Sequence, residues 1–407
     1  MSFKLIETEN LARIKVIGVG GGGCNAVNNM IHLDLQGAQF FVANTDAQSL
    51  ECSRADYKIQ LGEGLGAGAD PNVGREAALE SADLIREALA DSHMVFIAAG
   101  LGGGTGTGAA PVIAEICKEL GALTVAVVTK PFAFEARKRA KQAEEGIARL
   151  QEVADTVIII PNDRLRGLAS KKALLTDMFK RADEILHHSV KGITDLIIRP
   201  GLINLDFADV KATMSKAGMA IMGIGVSSGE NRAIEAAERA ISHPLLEDNS
   251  IAGARGVLMN ITASSDLTME ETIEASERIY NEIGDDDVEI IWGTAIDDTL
   301  GDELRVTVIA TGIGNGKIPV AAKTQPRVVR EITRGVVRTP TPEELKYFEN
   351  EMVRPSFIRK KEEARESPPV AGSRKPGVMK RMMGAYAVKD DPTENYDIPT
   401  FMRRKAD

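Results

Sequence analysis

The run Met94-Val95-Phe96-Ile97-Ala98-Ala99-Gly100-Leu101-Gly102-Gly103-Gly104-Thr105-Gly106-Thr107-Gly108 constrains this chain more than any other stretch. It begins as a short apolar strand of the kind buried inside a parallel sheet. It then breaks into six glycines within nine residues, and Ala109 to Leu120 continue at helical spacing. A glycine-rich turn between a strand and a helix leaves backbone N–H groups free beside the positive end of the helix dipole. Glycine keeps side chains out of an anion's path, and Thr105 and Thr107 add hydroxyl donors. The chemistry is that of a phosphate cradle, although a single glycine run suits a plain surface loop equally well.

A second run shifts that balance. Ile14-Lys15-Val16-Ile17 reads as a first strand and leads into Gly18-Val19-Gly20-Gly21-Gly22-Gly23-Cys24-Asn25, with Ala26 to Leu33 helical. Two such units in one sheet can grip a polyphosphate from two sides. Neither matches the Walker pattern Gly-x-x-x-x-Gly-Lys-Ser/Thr. Gly18-x-Gly20-x-x-Gly23 does satisfy the dinucleotide pattern, so a nicotinamide-dependent oxidoreductase is the rival reading, with Asp46 as its candidate ribose acid. A non-catalytic nucleotide-binding scaffold is a third.

The segment Gly102 to Gly108 resembles the phosphate loop of the tubulin/FtsZ GTPases. The likeness extends through most of residues 12–313, is weak beyond them, and returns in the last dozen residues. It implies a Rossmann-like, parallel-sheet α/β fold. Its parts would be a flexible N-terminus (1–12), a GTP-binding domain (13–174), a long central helix (175–200) and a smaller α/β domain (201–313). A disordered linker (314–390) and a partner-binding peptide (391–407) would follow.

Along the chain, Gln39 to Ala43 reads as a strand ending in Asn44-Thr45-Asp46, polar groups at a carboxyl edge where α/β sheets bind ligands. The glycine-rich stretch Gly64 to Asp70 suits a mobile connection; the resemblance implies a γ-phosphate sensor. A helix is expected over 74–90 and a strand over 124–129. Pro131 opens a helix carrying Glu135 and Arg139, whose i, i+4 spacing suits a surface ion pair. Thr156 to Ile160 closes the first sheet at Pro161, and Leu175 to Ile198 reads as a long helix ended by Pro200-Gly201. Further strands are expected at 220–226, 256–262, 288–292 and 304–310, with helices near 230–242 and 268–282.

The resemblance supplies roles that spacing alone does not. Gly20, Gly21, Gly22, Gly23, Cys24 and Asn25, together with Gly103, Gly104, Thr105, Gly106, Thr107 and Gly108, would bind the phosphates of GTP or GDP, with Mg²⁺ bridging β and γ oxygens. Glu135 and Arg139 would sit at the sugar and phosphate edge. Phe179 would stack on the base, and Asp183 would accept the N1–H and N2–H of guanine, a donor pair that adenine lacks. Read alone, Asp206 is a helix N-cap with Asp209 in the first turn. The resemblance makes Asn204, Asp206 and Asp209 a catalytic loop acting on nucleotide held by the neighbouring subunit of a head-to-tail filament. Cys24 stands where a smaller residue is usual, which would make the site sensitive to thiol reagents.

Composition narrows the setting. The net charge of −10 hides an asymmetry, since residues 314–390 carry 17 basic and 9 acidic side chains. The acidic remainder argues against nonspecific nucleic-acid binding, and that linker holds eight of the sixteen prolines. Three cysteines without metal-ligand spacing suggest a reducing compartment. No leader is visible in the first ten residues and no apolar run reaches membrane-spanning length, so a cytoplasmic protein is expected, at mid-cell inside the membrane by resemblance. In the last residues Ile398, Phe401 and Met402 would share one helical face, with Asp397, Pro399 and Arg403 beside them. That run is similar to the family's peptide for membrane tethers and division regulators.

Overall fold

The structure, a computed structural model, describes residues 12–166, 174–199, 201–203, 205–215, 218–246, 251, 254–284 and 288–313. Asn204, the linker over 314–390 and the peptide over 391–407 lie outside the described residues.

The first strands are β1 (Ile14–Val19), β2 (Ala38–Asn44), β3 (Tyr57–Gln60), β4 (Met94–Gly100), β5 (Leu123–Lys130) and β6 (Thr156–Pro161). Then come β7 (Gly218–Ser228), β8 (Gly256–Ala263), β9 (Glu289–Ile296) and β10 (Glu303–Thr311). The helices of the first half are α1 (Gly20–His32), α2 (Ala47–Glu51), α3 (Pro71–Glu80), α4 (Ala82–Leu89), α5 (Thr105–Glu119) and α6 (Arg137–Val153). They are followed by α7 (Asn162–Leu165), α8 (Leu175–Ile198), α9 (Phe207–Ser215), α10 (Arg232–Ile241) and α11 (Met269–Ile283).

One ten-stranded sheet runs through all of this in the order β3-β2-β1-β4-β5-β6-β7-β10-β8-β9. Its first six strands are parallel, and the order reverses between β1 and β4, which pair from Ile14↔Met94 to Val19↔Ala99. Crossover helices cover both faces there, so β1 and β4 are wholly or almost wholly buried and apolar but for Lys15, whose ammonium donates to the Ala88 and Ala90 carbonyls. The expectation that the first sheet closes at Pro161 needs correction. Thr156, Val157 and Ile158 pair in parallel with Gly218, Met219 and Ala220, which carries the sheet on into β10 and β8.

Helix α8 spans both halves. Met178, Ala182, Leu186, Val190, Ile193 and Leu196 fall on one face at spacings of three and four. They share a core with Val16 and Phe96 of the first half and Leu258 and Ile309 of the second. The helix is about 36 Å long at 1.5 Å per residue. The single helix expected over 74–90 is two, parted at Ser81, whose hydroxyl accepts the Gly62 amide at 3.3 Å instead of facing solvent.

Helix α10 lies unusually close to β7. Ala233, Ala236, Ala237 and Ala240 face the strand. A Cβ on Gly225 would stand 1.8 Å from the Ala236 carbonyl oxygen, and one on Gly223 2.1 Å from that of Ala240. Backbone blocks both positions, so neither side can yield. Gly225→Ala is expected to lower unfolding stability by about 2–3 kcal/mol, read from urea midpoints.

Candidate functional site

Ligands of open α/β sheets lie outside the carboxyl ends of strands where the order reverses. Here that point is the paired ends of β1 and β4, which lead into α1 and α5. A cavity of about 380 Å³ opens there, lined on the phosphate side by Gly21, Gly22, Asn25, Gly103, Gly104, Thr105 and Gly106. Thr129, Glu135, Arg139, Asn162, Phe179 and Asp183 form the rest of its polar and aromatic lining.

Its electrostatics come from backbone more than from side chains, since the lining holds one cation, Arg139, against Glu135 and Asp183. Neither α1 nor α5 has a side-chain cap or an acid in its first turn. By contrast Asp46, Asp70 and Thr268 cap α2, α3 and α11 with their side chains. The two helices beside the cavity therefore present uncapped N–H groups and about half a positive charge each. Such a pair suits an anion held by amides, as a polyphosphate is.

The glycines divide by what a methyl group would meet. At Gly21 and Gly103 a Cβ would have nothing within 4 Å, so both line open space. At Gly108 it would stand 2.0 Å from the Pro71 carbonyl oxygen, and at Gly23 2.3 Å from that of Ala98. Gly20, at φ +71°, would crowd the Gly106 amide at 2.9 Å. Gly20, Gly23, Cys24, Thr107 and Gly108 are not part of the lining; Gly20, Gly23 and Gly108 let α1, α3, α5 and β4 close up around it. Thr107 spends its hydroxyl accepting the Gly102 amide at 2.8 Å. Cys24 is buried with its sulfur 3.8 Å from Asn44 Nδ2, and burial pushes its thiol up to about 11, which disfavours the reactive thiolate. The glycine runs are also not plain loops, because α1 and α5 begin at Gly20 and Thr105 and absorb much of them.

At the other end of the cavity, Phe179 stands edge-on to Phe132 at 5.4 Å, and Phe132 stacks on Phe134 at 5.1 Å. Asp183, one turn on, has its carboxyl raised to about 7, first by burial and then by the charge of Glu184. Glu135 belongs to a short 3-10 turn, Ala133–Glu135, and α6 begins only at Arg137, after Ala136 at φ +86°. The helix expected from Pro131 is thus interrupted, yet Arg139 still reaches Glu135 at 2.7 Å. Glu135 also accepts the Phe132 amide at 2.9 Å, which fixes the pair at the rim.

Asn162 was not foreseen. It is buried, lines the cavity, and leaves its side-chain oxygen without a partner among the described residues. A ligand N–H or O–H would satisfy it. The signal was present, since Asn162 follows the carboxyl end of β6 as Asn44-Thr45-Asp46 follow that of β2. That triplet turns out to be structural: Asp46 accepts the Gln48 amide and the Ser49 hydroxyl, and Thr45 shares a 2.6 Å hydrogen bond with Thr105. Asp46 is therefore not placed for a dinucleotide ribose. Beside the cavity the loop over 64–70 holds Ala69 at φ +60°, and Gln142 Nε2 donates to its carbonyl at 3.2 Å.

Asp206 and Asp209 stand elsewhere. Asp206 caps α9, accepting the Asp209 amide at 2.8 Å. Both are exposed and neither lines the cavity. The chain between cavity and acids runs along α8, and Asp183 to Ile198 alone spans about 22 Å.

Sheet order, paired glycine turns and long connecting helix together define a nucleotide-binding protein of the tubulin-like class. Residues 13–170 match the GTPase domain of the Tubulin/FtsZ family, and residues 218–314 match the C-terminal domain of the FtsZ family. The cell division protein FtsZ of Rickettsia bellii (strain RML369-C) is 58% identical over 311 residues, covering 75% of this chain and 68% of that one. That of Rickettsia typhi (strain ATCC VR-144 / Wilmington) is 57% identical over 310 residues, 75% of this chain and 69% of that one. An empty FtsZ dimer from M. jannaschii superposes with a TM-score of 0.72 at 46% identity, over 76% of this chain and 90% of that one. The chain belongs to the FtsZ family. It is accordingly a guanine-nucleotide-binding cytoskeletal GTPase of cell division.

Two outcomes test the site. Gly103→Ala should fold with an unchanged thermal midpoint while nucleotide affinity, followed by fluorescent-nucleotide titration, falls about tenfold or more as the methyl enters the anion's space. Between pH about 4 and about 7 the folded chain keeps an Asp183 proton that the unfolded chain has released, so ligand-free stability falls as pH rises across that window and then levels off. Asp183→Asn should flatten that part of the profile in urea midpoints taken at several pH values.

Proposed function

We propose that the chain assembles head to tail, so that nucleotide held by one subunit is hydrolysed with acids of the next. The observation that carries this reading is the separation of the two parts of the site along α8. The cavity lining has amides and a base-recognition end but no carboxylate on its phosphate side, while Asp206 and Asp209 stand exposed at the start of α9, past the far end of α8, whose run from Asp183 to Ile198 spans about 22 Å. Exposed apolar side chains support a joint at both places: Phe134, Leu174, Leu175 and Phe179 near the cavity, Leu202 and Ile203 beside the acids. A contact between unlike faces propagates into a filament.

In this reading the uncapped turns of α1 and α5 bind the phosphates, Phe179 stacks on the base, and Asp183 gives up its proton to accept the two guanine N–H groups. Asp209, whose carboxylate makes no hydrogen bond or ion pair among the described residues, orients a water against the γ-phosphorus and takes its proton. Asp206, committed through Oδ1 to the cap, holds the segment and adds negative charge. The phosphorus gains the water oxygen and loses the bridge to the β-phosphate, giving GDP and phosphate. Among the described residues no three His, Cys, Asp or Glu side chains form a metal cluster. In this reading a Mg²⁺ ion would be held chiefly by phosphate oxygens and would supply charge neutralisation. Positioning and charge stabilisation are most of what this reaction requires, so completing the site from a neighbour is enough to switch it on.

Loss of the γ-phosphate would free the loop over 64–70 and weaken the joint. Tethers and regulators of division would dock on residues 391–407, bringing filaments to the membrane at mid-cell. Among the described residues no helix is long and apolar enough to cross it.

Turnover per subunit should collapse below a critical protein concentration, with phosphate release and light scattering followed together. Asp209→Ala should bind GTP normally and hydrolyse it about a hundredfold more slowly. Hydrolysis at full rate by dilute monomer would overturn the reading.

A further inference from the structure

The chain leading to the acids is largely exposed, Leu202 at 69% and Ile203 at 40%, before Leu205, Phe207 and Val210 pack onto the main core. Hydrogen bonds hold the exposed part. Thr294, buried at 3% exposure in β9, donates its amide to the Ile203 carbonyl at 3.1 Å. Its hydroxyl oxygen accepts the Ile203 amide at 3.0 Å. A Cβ on Gly201 would stand 1.6 Å from the Thr294 carbonyl oxygen, and one on Gly293 would stand 2.8 Å from Leu196 Cδ2 and 3.2 Å from Leu205 Cγ. In the sheet order β9 comes last, so this segment lies along its outer edge. A second clamp ties the end of α8 just past the same strand, where Arg199 meets Asp297 at 3.2 Å and Asp195 at 3.0 Å.

We infer that Thr294 is a positioning residue for the acid pair: its amide and hydroxyl fix Ile203 on the edge of β9 and so set where Asp209 projects. The path is short. Ile203 is held on both its backbone groups, Leu205 is seated over Gly293, and Asp206 then accepts the Asp209 amide. Threonine suits the post because the inward strand position wants a β-branched side chain and the loop amide wants an oxygen. Valine has the shape and lacks the acceptor. This inference rests on the assignment of Asp206 and Asp209 to hydrolysis, and it adds a residue that touches neither nucleotide nor water. Displacing a reacting group by about 1 Å can cost up to a hundredfold in rate.

The test compares the full chain with Thr294→Val, Thr294→Ser and Asp209→Ala, measuring GTP affinity, thermal midpoint, the concentration at which light scattering begins, and phosphate release per assembled subunit. Thr294→Val should keep affinity and onset concentration within about twofold while turnover falls about tenfold, and Thr294→Ser should restore it. If Asp209→Ala is slow while Thr294→Val turns over at the parent rate, the positioning role is wrong and the acid assignment stands. If Asp209→Ala is itself as fast as the parent, the acid assignment fails first. A slow Thr294→Val whose onset concentration rises in step would make the threonine part of the joint and overturn the inference. Should Thr294→Val fail to fold, Thr294→Ala removes the same oxygen and is read in the same way; failure of both would show a residue needed for the fold alone.

Discussion

Two helices that start without caps, side by side at the reversal of strand order, are the constraint on which the rest depends. Buried or crowded N–H groups left without acceptors are costly, and α1 and α5 leave theirs around one cavity. The sheet brings this about by pairing β1 with β4, so that both glycine turns leave on the same edge. Packing then holds the edge open. Gly23, Gly106 and Gly108 allow backbones to touch where any Cβ would push α1 and α5 off β4 or α5 off α3, while Gly21 and Gly103 face empty space. Adjacent glycines in a single run thus serve opposite ends, some admitting protein and others admitting ligand.

Helix α8 translates that local arrangement into a longer one. Its apolar face is continuous with both halves of the sheet, its first turns carry Phe179 and Asp183 into the cavity, and its last turn is clamped through Arg199 to Asp297. Asp183 sits where burial opposes its charge. Burial favours the neutral carboxyl, so in the proposed reading ionisation of Asp183 would be tied to arrival of the two ligand donors, and the choice of base to the helix that carries it.

Much of this was legible in the sequence, and the parts that were not share a cause. Periodicity located α8 to the residue, because 24 residues with apolar positions every three or four leave little latitude. The long parallel strands were equally plain, since burial on both faces makes them continuous apolar runs. Short elements escaped: β3 has four residues and buries only Ile59, so no pattern could mark it. The site was legible as chemistry and illegible as roles. Glycine says only that a side chain is unwelcome, and whether the reason is a phosphate or the Pro71 carbonyl depends on which chain segment comes close. Cys24 and Thr107 show the same limit: each stands within a binding motif, and each side chain makes its contact inside the protein. Thr294 gave no signal at all, because its partner is 91 residues away.

The opposed placement of cavity and acids gives the molecule a front and a back. In the head-to-tail row proposed above there would be one fewer finished centre than members, with an unsatisfied pocket exposed at one tip and idle carboxylates at the other. The two tips are chemically different objects, so growth and loss need not proceed alike at both. Direction is in this way written into a single chain before any second chain arrives.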